Sequence, residues 1–400
     1  MLHNFKVENF YSIYEEQELS FTSKRFYGNS FTEFDDYYVS NVNCLIGANA
    51  SGKTNILKAL YFLLRFAQSS FYEIDESIVK LYEPHKLKQN EPTCFELTFD
   101  YNKILYRNNL CLFQNKVIDE KLEIKSQKGF SYLYKLENRD DFIEIKYNRN
   151  RILPKINPME ENRFKLKKNV TFLSFLLGTG YLQHLQLKSF ANDIFSNVSN
   201  IDSRSYDHIS ESVYLSKALE NTPLKNALLP YLKNFDFGIE NFVEDNTFQV
   251  KFKNGESQNL IGFKHSNGNN SFILSALDES AGTIKGTFLM FHLLNVLAKG
   301  GVAIIDELDA RLHYDIARIL ISLFANKETN LYNAQLFFST HQPLFLNDRD
   351  KKQIFMCYKE DLLNTEIYRL DEIEGVRNTE NFFEKYLAGC YGAVPRIGNI

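Results

Sequence analysis

The feature that most constrains the fold of this chain is a glycine-rich loop between a short apolar run and an amphipathic segment. Residues 47–54 read Gly-Ala-Asn-Ala-Ser-Gly-Lys-Thr, which matches the phosphate-binding pattern G-x-x-x-x-G-K-[ST] at every defined position. Val42–Ile46 has the composition of a buried strand, and apolar residues recur at helical spacing from Ile56. The loop therefore predicts a nucleotide site on a strand, loop and helix of an α/β fold.

Each part of this loop has a predicted role. Backbone N–H groups and the positive end of the helix dipole would hold the phosphates, Lys53 would reach the β- and γ-phosphates, and the Thr54 hydroxyl would ligate Mg²⁺. A helix is predicted from Asn55 to about Ser69. The other predicted nucleotide-binding residues are Gly47, Asn49, Ser51, Gly52 and Asn55.

Composition excludes several classes of protein. The 400 residues are 44% hydrophobic and carry 46 basic against 50 acidic residues, so contact with nucleic acid would require a local patch. Five scattered cysteines without C-x-x-C spacing argue against a disulfide framework and a zinc site, and they fit a reducing cytoplasm. Because the N-terminus lacks a signal-peptide plan and no run of 18 apolar residues exists, no membrane span is expected.

The order of predicted elements divides the chain into three parts. Two strands over residues 2–21 precede the loop, and an antiparallel meander is predicted over 94–147. Helices are predicted at 172–177, 181–195 and 210–219, and strands at 239–252, 260–263 and 271–274. The predicted units are an N-terminal lobe (1–150), a basic linker with a helical insertion (151–235) and a C-terminal lobe (236–400).

A basic run links the meander to the helical insertion. Between Lys146 and Lys168 the chain has eight basic and two acidic residues. Pro154 and Pro158 break regular structure there. A solvated linker is the simpler interpretation, and contact with a nucleic-acid backbone is the alternative.

A second functional pattern occurs at 301–307, Gly-Val-Ala-Ile-Ile-Asp-Glu. It is an apolar run, typical of a buried parallel strand, that ends in two carboxylates, as a Walker B element does. Asp306 would contribute to the Mg²⁺ site, and Glu307 would polarise the attacking water. A helix over 310–324 would follow, with Asp309 as its N-cap.

Two further segments supply candidate residues. The apolar run 334–340 ends in His341, at the sheet edge where ligands bind in open α/β sheets, so His341 could contact a γ-phosphate or could be structural. Ser280 and Gly282 begin a long apolar helix that ends at Lys299 before Gly300. This helix start could bind an anion or could be a simple cap.

The order of these four motifs resembles that of the ABC-type ATPases, including their SMC, RecF and OLD-like branches. This resemblance implies ATP as the nucleotide, Mg²⁺ as its metal, and an ATP hydrolase in which Glu307, His341 and Lys53 are catalytic. It also implies a homodimer or higher oligomer in which Ser280 and Gly282 of one copy contact the γ-phosphate held by Lys53 of another. Ala281 replaces a signature glycine, His313 replaces the usual aspartate, and no glutamine is assigned to the Q-loop.

The residues within these motifs are similar to those of a narrower branch, the bacterial AAA-family ATPases of the RloA/AbiL abortive-infection type. The residues that carry this similarity are Glu-Ser-x-Gly-Thr, Asp-Glu-Leu-Asp-Ala-x-Leu-His, Ala-Gln-Leu-x-Phe-x-Thr-His and the tail 386–395. The resemblance implies an anti-phage role and a separately encoded nuclease or Toprim-like partner. The 59 residues after His341 show no metal-binding nuclease centre of their own.

Three functions follow as hypotheses. The first is a cytoplasmic, nucleotide-gated switch that controls a partner effector. The second is a RecF-like DNA-repair or DNA-scanning ATPase, for which the basic run would contact DNA. The third is the ATPase subunit of a membrane transporter, which the lack of a predicted membrane span disfavours.

Overall fold

The computed structural model describes residues 1–26, 28–72, 81–138, 143–148, 166–180, 193–198, 208–219, 222–233, 235, 237–251, 255, 257–266, 268–360 and 363–394. The strands are β1 (Leu2–Glu8), β2 (Gln17–Ser20), β3 (Thr22–Ser23), β4 (Phe31–Phe34), β5 (Tyr37–Ser40), β6 (Val42–Ile46), β7 (Thr93–Tyr101), β8 (Ile104–Phe113), β9 (Lys116–Ser126), β10 (Gly129–Asn138), β11 (Ile143–Tyr147), β12 (Ile194–Ser196), β13 (Ile239–Lys251), β14 (Ser257–Ser266), β15 (Ser271–Ser275), β16 (Val302–Ile305), β17 (Gln335–Thr340), β18 (Ile354–Glu360) and β19 (Asn364–Arg369). The α-helices are α1 (Lys53–Ser69), α2 (Phe172–Gly178), α3 (His208–Leu219), α4 (Thr222–Lys233), α5 (Ala281–Lys299), α6 (Tyr314–Ala325) and α7 (Phe382–Leu387).

A six-stranded sheet in the order β12-β16-β17-β6-β18-β19 carries the glycine-rich loop. Its strands are parallel except the edge strand β19. Every residue of β6, β16 and β17 is buried. Strands covered on both faces have continuous apolar sequence, which is why the runs at 42–46, 301–305 and 334–340 were identifiable. Those strand predictions are confirmed.

The two faces of this sheet contribute to different cores. Leu45, Ile304 and Phe337 pack with α1 on one side. Their chain neighbours Ile305 and Phe338 pack with α5 and α6 on the other. Because successive side chains of a strand alternate between faces, the sheet packs against α1 on one face and against α5 and α6 on the other. The loops that follow its parallel strands lie at its carboxyl edge.

An antiparallel sheet of seven strands contains the predicted meander and is called here the antiparallel platform. Its order is β11-β10-β9-β8-β7-β1-β2, so the first strand of the chain pairs with the meander. Phe5, Leu97 and Phe99 on this sheet join the core that contains α1. Two three-stranded sheets, β13-β14-β15 and β3-β5-β4, complete the described strands. The predicted fold class, an α/β fold with a mixed sheet and an antiparallel platform, is confirmed.

Two helix predictions need correction. Residues 181–192 lie outside the described residues, but Ile194 and Phe195 form β12 and pair with Val302 and Ala303 of β16. A short apolar run fits a buried strand as well as a helix, and only the neighbouring strand decides between them. The helices predicted at 172–177 and 210–219 are confirmed.

The helix after the Walker B strand begins later than predicted. It starts at Tyr314 rather than residue 310, and its N-cap is His313, whose side chain accepts a hydrogen bond from the N–H of Asp315. Glu307 and Arg311 have φ angles of 49° and 65°. A right-handed helix cannot contain these left-handed residues, so residues 306–313 form an irregular loop, called here the post-Walker-B loop.

The argument from cysteine spacing against a disulfide framework is wrong for one pair of cysteines. Cys94 and Cys111 are direct partners in the antiparallel pair β7 and β8, and they form a disulfide. Cys44, Cys357 and Cys390 are free. The paired cysteines are 17 positions apart in the chain, and only the register of the two strands brings their side chains together.

One described helix is long and apolar enough to cross a membrane. It is α5, and 67% of its most apolar window is buried within the protein. Phe288, Leu289 and Leu293 of this helix lie in the core against the six-stranded sheet. The apolar character of α5 is therefore explained by its position in the core.

Most of the predicted basic linker, residues 149–165, lies outside the described residues. Of its basic residues, Lys146 forms an ion pair with Glu144 at 3.0 Å, and Lys167 and Lys168 are exposed. The boundaries of the three predicted units stay predictions.

Candidate nucleotide site

The glycine-rich loop follows β6 and leads into α1, as predicted. The helix begins at Lys53, two residues before the predicted start, with Gly52 as N-cap at φ 100°. Ala50 is also left-handed, at φ 59°. Alternation of left- and right-handed residues turns successive N–H groups towards one point, which creates an anion-binding concavity at the helix N-terminus.

The two glycines at the ends of the loop are required by close contacts. A Cβ atom on Gly47 would lie 2.0 Å from the carbonyl oxygen of Cys357, and one on Gly52 would lie 2.0 Å from Oγ1 of Thr365. The first obstacle is on β18, the strand beside β6, and the second is on β19, the edge strand beyond it. The loop is therefore pressed against the sheet edge, and side chains at these positions would displace it.

Lys53 is buried at the mouth of the concavity. Its ammonium donates hydrogen bonds to the carbonyl oxygens of Gly47 and Ala48, both at 2.9 Å. Burial lowers the pKa of Lys53 below its ordinary value. The cation is held by loop carbonyls next to the N–H groups that would bind phosphate.

The predicted metal-binding pair comes together although Thr54 and Asp306 are far apart in sequence. Thr54 Oγ1 donates a hydrogen bond to Oδ2 of Asp306 at 2.7 Å. Ser339, at the end of β17, donates to Oδ1 of Asp306 at 2.5 Å and accepts from the N–H of Glu307 at 2.8 Å. Both carboxylate oxygens of Asp306 are thus oriented by hydroxyl groups from neighbouring elements.

Asn197, directly after β12, also fixes Asp306. Its side-chain oxygen accepts from the N–H of Asp306 at 2.7 Å, and its amide donates to the carbonyl of Asp306 at 2.8 Å. These two bonds continue the strand pairing by one residue through a side chain. Sequence reasoning missed Asn197 because it placed a helix where β12 lies. It assigned no role to Ser339 although that residue lies in the predicted strand 334–340.

Glu307 and His341 lie at the open rim of the site. Nε2 of His341 is 3.5 Å from Oε1 of Glu307, and their side chains are 37% and 55% exposed. Glu307 adopts a left-handed backbone conformation, an unusual state for a non-glycine residue that occurs often at functional sites. The pair could hold a water molecule between the carboxylate and a phosphate.

These residues surround one cleft of about 780 Å³. Of the predicted nucleotide-site residues, Asn49, Ser51, Gly52, Lys53, Thr54, Asn55, Asp306, Glu307 and His341 line it. Gly47 is buried beneath the loop. Ser12, Ala50 and Lys359 complete the lining, and sequence reasoning assigned no role to them.

A polar network holds the part of the cleft lined by Ser12, Ser51 and Asn55. Asn55 donates to the hydroxyl of Ser12 at 2.7 Å, and Ser12 shares a hydrogen bond of 2.7 Å with Thr365. Thr365 in turn donates to the carbonyl of Ser51 at 3.2 Å. Burial lowers the pKa of the neighbouring Lys359, whose ammonium donates to the carbonyl of Leu363 at 2.7 Å.

The C-terminal segment 386–394 supports the glycine-rich loop through hydrogen bonds to the carbonyl of Ala393. The N–H of Ala48 donates to the carbonyl of Ala393 at 3.1 Å, and the hydroxyl of Tyr386 donates to the same carbonyl at 3.1 Å. The sequence motif 386–395 thus has a structural role up to residue 394, while Pro395 lies outside the described residues.

Ser280 and Gly282 do not line the cleft within one chain. Ser280 is the exposed N-cap of α5, and its hydroxyl accepts from the N–H of Thr283 at 3.0 Å. Gly282 approaches the post-Walker-B loop, where an added Cβ would lie 3.1 Å from the carbonyl oxygen of Arg311. The capping interpretation is satisfied, and the predicted contact with a second copy stays a prediction.

The oxygen donors of the site suit a hard cation completed by phosphates. No group of three or more His, Cys, Asp or Glu side chains in the described part of the chain could hold a metal ion by itself. Thr54 and Asp306 offer a hydroxyl and a carboxylate side by side. This is the donor set that Mg²⁺ uses when nucleotide phosphates and water supply the remaining ligands.

Of the comparisons with known proteins, a family model is the one that identifies a family for this chain. A solved structure, the SMC head domain from Thermotoga maritima, aligns with 92% of this chain and 98% of its own at 12% identity and a TM-score of 0.37, too weak a similarity to indicate function. No curated protein matches the sequence. The family described as "AAA domain, putative AbiEii toxin, Type IV TA system" matches residues 42–347, from β6 through the post-Walker-B loop to His341 and beyond. With more than half of its length matched, and with the loop, carboxylates and histidine around one cleft, the chain belongs to this AAA-domain family.

Proposed function

We propose that this protein binds ATP in the cleft and hydrolyses it to ADP and phosphate. The observation that carries the proposal is the contact between Thr54 and Asp306 at 2.7 Å, which joins the glycine-rich loop to the Walker B strand. The membership of the AAA-domain family supports a nucleotide substrate. ATP is preferred because this is the nucleotide that the motif order implies.

The residues of the cleft divide the work of the reaction. N–H groups of residues 50–54 and the Lys53 ammonium would bind the phosphate chain. Thr54 and Asp306 would hold Mg²⁺, which would neutralise charge on the β- and γ-phosphates. Glu307 would accept a proton from the attacking water, and His341 would orient Glu307 and donate a hydrogen bond towards the γ-phosphate.

Ser339 and Asn197 act on these groups rather than on the substrate. Ser339 fixes the Asp306 carboxylate and the Glu307 backbone with one hydroxyl group. Asn197 fixes the Asp306 backbone from the other side. Removal of such supporting groups commonly lowers the activity of a metal site about 10- to 100-fold.

The site is proposed to be completed by a second copy of the chain. Asn49, Ala50, Glu307 and His341 are open to solvent at the rim, and Ser280 at the N-terminus of α5 is also exposed. A free helix N-terminus from another copy would place N–H groups and a hydroxyl over the γ-phosphate. ATP would then hold two copies together, and hydrolysis would release them.

The direct test compares Glu307→Gln with the wild type in a phosphate-release assay. Loss of the general base should lower kcat about 10²- to 10⁴-fold while ATP binding persists. Glu328→Gln, which changes an exposed glutamate outside the cleft, is the matched control. Equal phosphate release by Glu307→Gln and the control would contradict the hydrolysis proposal.

Light scattering tests the dimer. Glu307→Gln should gain mass with ATP and not with ADP, because the nucleotide is trapped before hydrolysis. A Glu307→Gln protein that binds ATP but keeps one mass at every protein concentration would refute the ATP-sandwiched pair.

The cellular role is proposed to be control of a separately encoded effector in cytoplasmic anti-phage defence of the RloA/AbiL type. Two observations support this role. The residues of the motifs resemble those of that type, and the description of the matched family names a putative toxin of a type IV toxin–antitoxin system. Recovery of Glu307→Gln in ATP from its native cells should retain a nuclease or Toprim-like protein. Recovery of the same proteins with Lys53→Ala, which should not bind ATP, would contradict nucleotide-gated control.

A DNA-repair or DNA-scanning ATPase is the alternative, favoured only by the basic run at 146–168. Neutralising Lys165, Lys167 and Lys168 should then weaken DNA binding and flatten its dependence on salt. The control neutralises three lysines elsewhere, Lys24, Lys128 and Lys233. Equal DNA binding by both triple variants, or none at low salt, would remove this alternative.

A further inference from the structure

A carboxylate outside the cleft joins two segments that border the proposed site. Glu211 of α3 is fully buried. Its Oε1 accepts a hydrogen bond from Nη2 of Arg311 at 3.1 Å and lies 3.4 Å from Nζ of Lys285. Arg311 belongs to the post-Walker-B loop, and Lys285 stands on α5, five residues after Ser280. One acidic group therefore binds both segments.

Other side chains of α3 form hydrogen bonds with the turn that precedes Ser280. The Nε2 of His208 donates to the carbonyl of Leu277 at 3.0 Å, and the hydroxyl of Ser212 donates to the carbonyl of Ala276 at 2.9 Å. These carbonyls belong to the turn that leads from β15 into α5. Three positions on α3, at helical spacing, thus contact either α5 or the turn that leads into it.

The two segments joined by Glu211 also touch each other. The close approach of Gly282 to the carbonyl of Arg311 leaves no room for a larger residue without movement, since a Cβ would lie 3.1 Å away. Arg311 has a left-handed backbone, with φ at 65°. The position of its carbonyl depends on that strained conformation, and its guanidinium is held by Glu211.

Burial of Glu211 and Lys285 is energetically unfavourable unless their charges stay paired. Burial raises the pKa of Glu211 and lowers the pKa of Lys285, so desolvation disfavours the charged form of each. A buried ion pair of this kind adds little stability over apolar packing, although breaking it by removing one partner is unfavourable. A role in fixing geometry accounts for charged groups at this position better than a role in stability does.

We propose that Glu211 is a positioning residue that holds Ser280, Gly282 and the post-Walker-B loop as one rigid unit for contact with the second copy. The inference rests on the proposed ATP-sandwiched pair. Glu211 does not line the cleft, so ATP binding by a single chain does not require it. Its loss would let the two segments move separately, and closure of the pair would then have to order them again.

The test measures ATP-dependent dimerisation in the Glu307→Gln background as a function of protein concentration. Adding Glu211→Gln should weaken the pair about 5- to 150-fold, the usual range for coupling between sites. The affinity of the separated chains for ATP should stay that of the parent. Ser216→Ala is the matched control, because Ser216 lies on the same helix and bonds to Ser212 and Ile261 without touching Lys285 or Arg311.

Arg311→Gln provides a second variant that disturbs the core less, because its side chain is 35% exposed. It should weaken dimerisation as Glu211→Gln does. The double variant should be little worse than Glu211→Gln alone, because the contact that Arg311→Gln removes is already changed by Glu211→Gln.

Each outcome decides a different point. If the Glu307→Gln parent does not dimerise in ATP, the proposed pair fails, and the inference fails with it. If the parent dimerises and both Glu211→Gln and Arg311→Gln dimerise as tightly, only the role of Glu211 is refuted. A loss of affinity that Ser216→Ala matches at equal loss of thermal stability would show a general effect of α3 packing and would also refute it.

Discussion

Glu120, on β9 of the antiparallel platform, should make the stability of this protein depend on pH. The residue is fully buried and binds the start of α2. Its carboxylate accepts hydrogen bonds from the N–H groups of Phe172 at 2.5 Å and Leu173 at 3.0 Å, and from the hydroxyl of Tyr134 at 2.6 Å. Burial outweighs these bonds and raises the pKa of Glu120 from 4.5 to about 7.

The sign and the size follow from the linkage between proton binding and folding. Below pH 4.5 the group is protonated in both states. Between pH 4.5 and 7 the unfolded chain releases its proton while the folded chain keeps it, so the free energy of unfolding falls as pH rises. A pKa difference of this size, from 4.5 to about 7, corresponds to a loss of about 3 kcal/mol.

Urea unfolding followed by far-ultraviolet circular dichroism measures this loss, since the chain has no tryptophan for fluorescence. From pH 5 to pH 8 the free energy of unfolding of Glu120→Gln should fall by about 2 to 3 kcal/mol less than that of the wild type. Burial also opposes ionisation of Glu123, but its bonds to Lys121 and Arg107 outweigh burial and lower its pKa. Glu123→Gln should therefore keep the wild-type pH dependence. Identical slopes for Glu120→Gln and the wild type would refute the reasoning.

The remaining predictions concern the loop and its supports. Ser339→Ala should lower kcat about 10- to 100-fold while ATP affinity, measured by titration, changes little, because its hydroxyl orients Asp306 rather than the substrate; an unchanged kcat would contradict this. Gly52→Ala should abolish ATP binding and lower thermal stability. The control Gly129→Ala has a similar φ of 107° but no atom within 4 Å of the added Cβ, so it should show only the smaller cost of backbone strain. Equal losses of thermal stability in the two variants would exclude the clash at Gly52. Tyr386→Phe removes a hydrogen bond to the carbonyl that supports the loop, so it should destabilise the protein by about 1 kcal/mol and weaken ATP binding; wild-type ATP affinity would show that the tail does not support the loop.

The elements that the sequence predicted correctly share one property: each is specified by a pattern of residues close together in the chain. The G-x-x-x-x-G-K-[ST] pattern, the apolar runs that end in Asp306 and in His341, and the helix from Ser280 to Lys299 all depend on residues close together in the chain. Parallel strands buried on both faces need continuous apolar sequence, and their carboxyl ends meet at one edge. This rule predicts that Asp306, His341 and the glycine-rich loop that leads to Thr54 lie at the same sheet edge, and all three residues line one cleft.

The sequence by itself thus determined the fold class, the glycine-rich loop and most of the side chains that line the cleft. Tertiary structure decided other contacts. These are Asn197 beside Asp306, Thr365 against Gly52, Glu211 between α5 and the post-Walker-B loop, and the pairing of Cys94 with Cys111. Each of these contacts depends on strand register or helix docking between residues 17 to 313 positions apart. Local periodicity does not encode such register, because many alignments of two elements satisfy the same apolar pattern and only the packed core selects one.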